Sequence, residues 1–282
     1  MARFMRSNDV VFFEWASELL AMATSMPKVT GIVTRLHRYE LYQWADQIRW
    51  ESVDRLIVVS ESKKDEFTAR YPDVGHKIEV IPEAIAPSDF APQEKHFEGN
   101  LGILCHLSPR KRVYDLILAF SELATADETY SLHIGGGPHS RYPEYLPVLE
   151  SLVERLGIRD RVEFYGPIAD PRAWYAKIDI FISNSYSEGL QVSPMEAMAA
   201  GCYCLSHNWA GADELLPEDQ LFFSEREMIE KVRRYADMAP DQRVALRARL
   251  RNSVLTRFDI DRIGPLIQGV LEDVASLQMR AG

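Results

Sequence analysis

Short runs of branched and aromatic residues alternate along the whole chain with longer stretches whose apolar positions fall three and four apart. The short runs are "VVFF", "GIVTRLH", "RLIVVS", "KIEVIP", "LGILCHL", "SLHIGG", "RVEFYG", "IDIFIS" and "CYCLS", and each predicts a strand. That alternation means parallel sheets with crossover helices, buried on both faces, so the fold class is α/β. "YDLILAFSELA" (114–124) and "YLPVLESLVERLG" (145–157) predict two of those helices. The alternation breaks at "EAIAPSDFAPQEKHFEGN" (83–100), where prolines and polar residues precede a fresh strand at Leu101. This divides the chain into a first lobe over 1–88 and a second over 89–258. The closing segment, 259–282, sets Ile263, Leu266, Ile267, Val270, Leu271, Val274 and Leu277 on one helical stripe. It should dock by that face, back toward the first lobe.

Composition narrows the partners. The 282 residues are 46% apolar and carry a formal charge of -10, which argues against a nucleic acid held on a general basic surface and against simple adhesion to anionic lipid. A local basic pocket stays open. Cys105, Cys202 and Cys204 have no metal-ligand spacing and sit in apolar runs, so they read as buried free thiols of a reducing cytoplasm. No apolar stretch approaches the roughly 20 residues that span a bilayer. The start, "MARFMRSNDVVFFEW", lacks the apolar core and cleavage site of a secretory signal. The chain therefore reads as soluble and cytoplasmic, reaching a membrane only through its acceptor or a partner. The arginines of "QRVALRARLRNSVLTRF" (242–258) read as a solvated helix face, with contact to a phosphorylated partner as the alternative.

Ligands of an open parallel sheet bind outside the carboxyl ends of its strands, where loops enter helices whose free N–H groups favour anions. Three loops there are unusual. After "LGILCHL", Arg110, Lys111 and Arg112 stand just before a helix that begins near Val113, where cations oppose the helix dipole. A diphosphate would explain them, and so would a solvated turn. After "SLHI", Gly135, Gly136 and Gly137 permit either close approach of a ligand or a plain tight turn. After "IDIFISN", the loop "SYSEGLQV" leads into "SPMEAMAAG", which reads as a helix with Ser193 at the N-cap, Pro194 at its first position, Glu196 at its third and Gly201 closing it. Glu196 would then belong to a capping box. Glu188 has no such local role and needs a donor-rich partner.

The stretch "SNSYSEGLQVSPMEAMAAGCYCLSHNWAGADELLP" resembles the paired-glutamate motif of the retaining glycosyltransferases of family 4. It has seven residues between Glu188 and Glu196, then a small-residue helix, a buried strand and a turn with Ala210, Gly211 and Glu214. "CHLSPRKRVYDLILAF" is similar to the family's phosphate loop, "LHIGGG" to its Gly-rich strand end, "VTRLHRYELY" to the segment with its active-site histidine, and "KIEVIPEAIAPSDFAP" to its interlobe crossing. The resemblance implies a GT-B-like fold: two Rossmann-like parallel-sheet lobes with a cleft between, the first on the acceptor side and the second binding the donor. It also implies that Lys111 binds the diphosphate of a nucleotide-sugar, that Glu196 binds its ribose, and that Glu188 lies against the transferred sugar with His37 across the cleft. Arg110, Gly189, Leu190 and Gln191 complete the implied donor site. His106, also counted in the implied donor site, stands where the family has an arginine five residues before the lysine; either Arg110 supplies the missing charge or the grip on phosphate is weaker.

The first lobe would enter the family's pattern about halfway through and hold about four strands, so an upstream segment or a partner chain is expected to complete it. Together these readings describe a metal-independent glycosyltransferase of polysaccharide or lipid-linked glycan biosynthesis. It would transfer a sugar from a nucleoside diphosphate to an acceptor hydroxyl with retention, using no cofactor beyond the donor and no nucleic acid. Attack on the face that the diphosphate leaves, with the departing phosphate taking the acceptor proton, fits a site without an assigned nucleophile. The rival is a nucleotide-sugar-binding module without independent catalysis. A GT-B enzyme of another reaction type, such as an epimerase, fits the glutamate motif less well.

Overall fold

The computed structural model describes residues 1–92 and 96–281. The chain forms two compact units, Met1–Ala84 with Ile260–Gly282, and Ile85–Asp259. The first division, at 84/85, falls close to the prolines that interrupt the strand pattern, and the second falls at 259/260.

In the first unit, strands β1 (Val10–Phe13), β2 (Gly31–Leu36), β3 (Arg55–Val58) and β4 (Ile78–Val80) form one parallel sheet in sequential order. Helices α1 (Ala2–Arg6), α2 (Glu18–Ser25), α3 (Arg38–Gln43) and α4 (Glu61–Arg70) lie between or before them. Period-two alternation separates the sheet's faces. Val11, Phe13, Ile32, Leu36, Leu56 and Val58 pack with Leu20, Leu41 and Phe67 of these helices.

The second unit is a six-stranded parallel sheet in the order β10-β9-β8-β5-β6-β7. Its strands are β5 (Asn100–Leu104), β6 (Ser131–Gly135), β7 (Val162–Gly166), β8 (Ile180–Ser183), β9 (Tyr203–His207) and β10 (Leu221–Phe222), all paired parallel. Helices α5 (Val113–Ala126), α6 (Tyr145–Leu156), α7 (Pro171–Tyr175), α8 (Val192–Ala199), α9 (Glu225–Ala236) and α10 (Pro240–Arg257) connect or flank them. β10 is a strand that periodicity does not reveal, because two residues carry no period.

The last helix, α11 (Ile260–Ala281), returns to the first unit. Its Ile263, Ile267, Val270, Leu271 and Val274 cover Val33, Ile57 and Ile81 on the second face of that sheet. A buried Ile or Val there contributes about 1.5–3 kcal/mol. Gly31 of β2 makes the approach possible, since a Cβ would stand 2.6 Å from Val274 Cγ1. Leu266 and Leu277, expected on the same stripe, are exposed instead; they lie at its margin.

Cys202 and Cys204 are buried; Cys105 is partly exposed as a residue, but burial of its thiol pushes its pKa up to about 11. One further expectation is corrected. The arginines of α10 are not a uniformly solvated face. Arg251 Nη1 donates to the carbonyls of Phe90, at 2.9 Å, and Ala199. Arg243 Nη1 donates to Ala236 O at 2.8 Å, and Arg257 donates to Glu214 O.

Candidate functional site

The second sheet changes direction at β5. Successive strands β6 and β7 build outward on one side of it, and β8, β9 and β10 on the other. Beside that reversal, outside the carboxyl ends of β5 and β8, an open parallel sheet binds its ligands. The loops leaving β5 and β8 meet there: Tyr186 N donates to Arg110 O at 3.3 Å, and Asn184 Nδ2 donates to Arg112 O at 3.0 Å.

After β5 the chain makes one helical turn, Pro109–Lys111, and Arg112 then takes a left-handed conformation, φ 50° and ψ 37°. It is the one non-glycine residue with positive φ among the described residues. That backbone costs on the order of 1–3 kcal/mol and persists where surroundings over-determine it. Asn184 holds the Arg112 carbonyl, Asp115 Oδ2 accepts from Arg112 Nε at 2.8 Å, and Glu225 pairs with its Nη2. The basic triplet is thereby split. Arg112 is tied to its own helix and to α9, while Arg110 and Lys111 turn toward the loop after β8.

What they meet is Glu188. Its Oε1 accepts from Lys111 Nζ at 2.7 Å, from Gln191 Nε2 at 2.9 Å and from Arg110 Nη1. Arg110 Nη1 also donates to Ser187 O at 2.8 Å. Glu188 is buried. Burial would raise its pKa, but the charges of Lys111 and Arg110, with hydrogen bonds from Lys111 and Ser185, hold the carboxyl below its ordinary range. The structure thus brings together Arg110, Lys111, Glu188 and Gln191, with Gly189 and Leu190 buried in the same turn. Ser183 and Ser185, which no sequence pattern singles out, orient Gln191 through their hydroxyls.

Helix α8 begins at Val192 with Gln191 as its N-cap, two residues earlier than Ser193 would set it. The expected capping box is therefore absent: Ser193 lies inside the first turn, and Gln191 spends its side chain on Ser183, Ser185 and Glu188. Glu196 Oε2 instead accepts from the Tyr175 hydroxyl at 2.9 Å, and that hydroxyl also approaches Ser193 O at 3.1 Å. Burial raises the Glu196 pKa and the Tyr175 bond partly offsets it. Freed from helix capping, Glu196 has acceptor capacity for hydroxyl donors. Sequence reasoning misses Tyr175, whose only signal is an aromatic at the end of "PRAWY".

His106 is exposed and faces the His139 ring at 6.3 Å between centroids. The Gly-rich end of β6 has a structural explanation. Gly136 has φ +110°, and a Cβ there would fall 1.8 Å from Cys105 O, so the backbone after β5 excludes any side chain.

His37 lies in the first unit, at the N-cap of α3. Its Nε2 stands 3.0 Å from Glu83 Oε1 and 3.8 Å from Glu14, its Nδ1 3.5 Å from Glu40 Oε1, and its ring stacks on Trp15 at 4.2 Å. The Glu40 contact is an ion-pair distance, too long for a good hydrogen bond. Burial lowers the imidazole pKa, but Glu40 and Glu83 more than reverse that and bring it to about 9. Arg35 balances the acids, reaching Glu83 at 3.1 Å and Glu14 at 3.2 Å.

Among the described residues no group of three His, Cys, Asp or Glu could hold a metal ion, and no helix is long and apolar enough to cross a membrane.

Residues 98–237 match the family of glycosyl transferases group 1. The chain is 27% identical over 212 residues to a phosphatidylinositol N-acetylglucosaminyltransferase subunit of Homo sapiens, covering 70% of this chain and 43% of that protein. It is 32% identical over 117 residues to N-acetyl-alpha-D-glucosaminyl L-malate synthase of Bacillus anthracis, covering 40% of this chain and 29% of the relative. The chain thus spans less than half the length of these curated relatives. Among solved structures, Anabaena Alr3699/HepE in complex with UDP and glucose superposes with a TM-score of 0.82 at 18% identity, over 96% of this chain and 79% of that one. Sucrose-phosphate synthase of Thermosynechococcus elongatus gives a TM-score of 0.78 at 18% identity, over 96% and 75%. With its two parallel-sheet units the chain has the GT-B fold, and residues 98–237, which span the β5 and β8 loops, are its glycosyl transferases group 1 segment.

Proposed function

We propose that this chain is a retaining glycosyltransferase that takes a sugar from a nucleoside diphosphate donor and passes it to an acceptor hydroxyl in glycan, polysaccharide or glycolipid synthesis. The observation that carries this reading is the convergence of Arg110 and Lys111 on Glu188 beside the sheet's reversal point. Two cations are held ready at the place where the fold presents helix N-termini to an anion. Alr3699/HepE, solved with UDP-glucose, supports a uridine nucleotide as the first donor to try.

In this reading Lys111 and Arg110 take the diphosphate, Lys111 as a point charge and Arg110 through its planar fork. As the sugar leaves, negative charge grows on the diphosphate, and both cations stabilise it more than they stabilise the intact donor. Positive character grows on the sugar, which Glu188, kept ionised by its surroundings, offsets. Glu196 and Tyr175 face the ribose hydroxyls. His37 acts as a charged donor, because at about 9 its pKa keeps the proton at neutral pH.

A second reading is a donor-binding subunit that transfers only when further sequence is present. It is favoured by the human relative, whose name describes one subunit of a transferase and of which this chain covers 43%. One experiment separates the two: UDP-sugars are titrated by calorimetry, then incubated with acceptors, and the first product is examined by proton NMR. Transfer with the donor's anomeric configuration kept supports the enzyme, and binding without transfer supports the second reading. Inversion refutes retention, and no binding refutes the donor site.

A further inference from the structure

The second unit has a cavity of about 530 Å³ whose described lining includes Arg243, Arg247 and Arg251 of α10 together with His96. The three arginines recur every fourth residue and so stand above one another on one helix face, where like charges destabilise each other. No Asp or Glu stands among the described residues that line this cavity. In a chain of net charge -10 that is a selective arrangement. Two other cavities of the unit mix their cations with acids, Glu227 and Glu230 in one, Asp219 and Asp237 in the other. Phe97, Val244 and Pro240 give the arginine-lined cavity an apolar wall, and Val244 is 56% exposed.

Part of this positive charge is structural. Arg251 ties the carbonyl of Phe90 to that of Ala199, and Arg243 holds Ala236 O while its guanidinium lies 5.2 Å from the Phe97 ring centre. Each of these bonds uses Nη1, and a guanidinium has five N–H donors, so donors remain. Arg247 forms no hydrogen bond or ion pair with any described residue. Guanidiniums one helical turn apart with donors to spare suit the tetrahedral oxygens of a phosphate, and the apolar wall suits a hydrocarbon body attached to it.

We propose that this cavity binds a phosphate monoester or diester with an apolar body, at a site distinct from Arg110, Lys111 and Glu188. A soluble phosphate ester and an anionic lipid headgroup share this chemistry. The proposal does not rest on the donor-site reading, since the two sites have no residue in common.

The test uses the full chain, with octyl phosphate and inorganic phosphate titrated by calorimetry and phosphatidylglycerol–phosphatidylcholine vesicles assayed by co-sedimentation. Octyl phosphate should bind more tightly than inorganic phosphate. Arg247→Glu should weaken it about ten- to hundredfold, the worth of a charge-assisted hydrogen bond. Arg247→Ala, a variant whose side chain holds no other part of the fold, should weaken it in the same direction with an unchanged circular dichroism spectrum. Lys111→Ala should leave it intact. Vesicle binding that depends on Arg247 assigns the ligand to a lipid headgroup, and octyl phosphate binding without vesicle binding assigns it to a soluble ester. The proposal is overturned by absent binding of every probe at millimolar phosphate, by affinity unchanged in Arg247→Glu, or by affinity lost in Lys111→Ala.

Discussion

The two units hold charge in opposite ways. In the second, one buried carboxylate, Glu188, lies between the cations Arg110 and Lys111; in the first, one imidazole, His37, lies among Glu14, Glu40 and Glu83. In both places burial works against the charged form and the neighbours restore it. The difference lies in what can be exchanged. Arg110 and Lys111 come from a loop at the mouth of the sheet and keep N–H donors that a phosphate can use in place of Glu188. His37 has carboxylates at both ring nitrogens and Trp15 against its face, so it is a fixed cation and a poor base. A buried charge pair is weak evidence for stability; here the arrangement reads better as a site that holds its charge until a ligand shares it.

The largest effect should come from removing the cation. Lys111→Met should weaken UDP binding by about ten- to hundredfold in calorimetry. An affinity within about twofold of the native chain would remove Lys111 from the donor site.

A second effect, on stability and not on affinity, should appear with pH in the first unit. The folded pKa of His37 is raised from 6.5 to about 9, so its contribution to stability is complete below pH 6.5 and is lost as the pH climbs through about 9. Denaturant unfolding between those limits should show stability falling by a few kcal/mol in all, and Glu83→Gln should flatten the curve and move the His37 titration, followed by NMR, toward 6.5. A midpoint near 6.5 in the native chain would contradict the fixed-cation account.

Much of this is legible in the chain. All nine apolar runs are strands; the central ones are legible because a strand buried on both faces leaves an apolar signature that needs no tertiary context, while the edge strands β1, β4 and β7 keep part of a face exposed. The loops with Arg110, Lys111 and Glu188 stand out one by one, but that they meet depends on β5 pairing with β8, 77 residues on by the Lys111–Glu188 contact. Ser193 and Glu196 fit a capping box by spacing alone; the spacing cannot tell that Gln191, held by Ser183 and Ser185, starts the helix earlier. The reach of Arg251 to Phe90, 161 positions away, is equally invisible, since an amphipathic pattern says which face is polar and nothing of what meets it.

The smallest effect should follow from Tyr175→Phe. It removes one hydroxyl shared by Glu196 and the Ser193 carbonyl, which should cost about 1 kcal/mol of folding stability and alter UDP affinity less than Lys111→Met does. Denaturation midpoints and the same calorimetric titration measure both.

The central claim is that a donor diphosphate takes Arg110 and Lys111 over from Glu188, and the most direct measurement is the UDP affinity of Glu188→Gln beside the native chain. The amide keeps the shape of the carboxylate and gives up its charge, so the two cations lose their internal competitor. Affinity in Glu188→Gln should equal or exceed that of the native chain; a loss as large as that of Lys111→Met would contradict the account and make Glu188 a part of the nucleotide site itself.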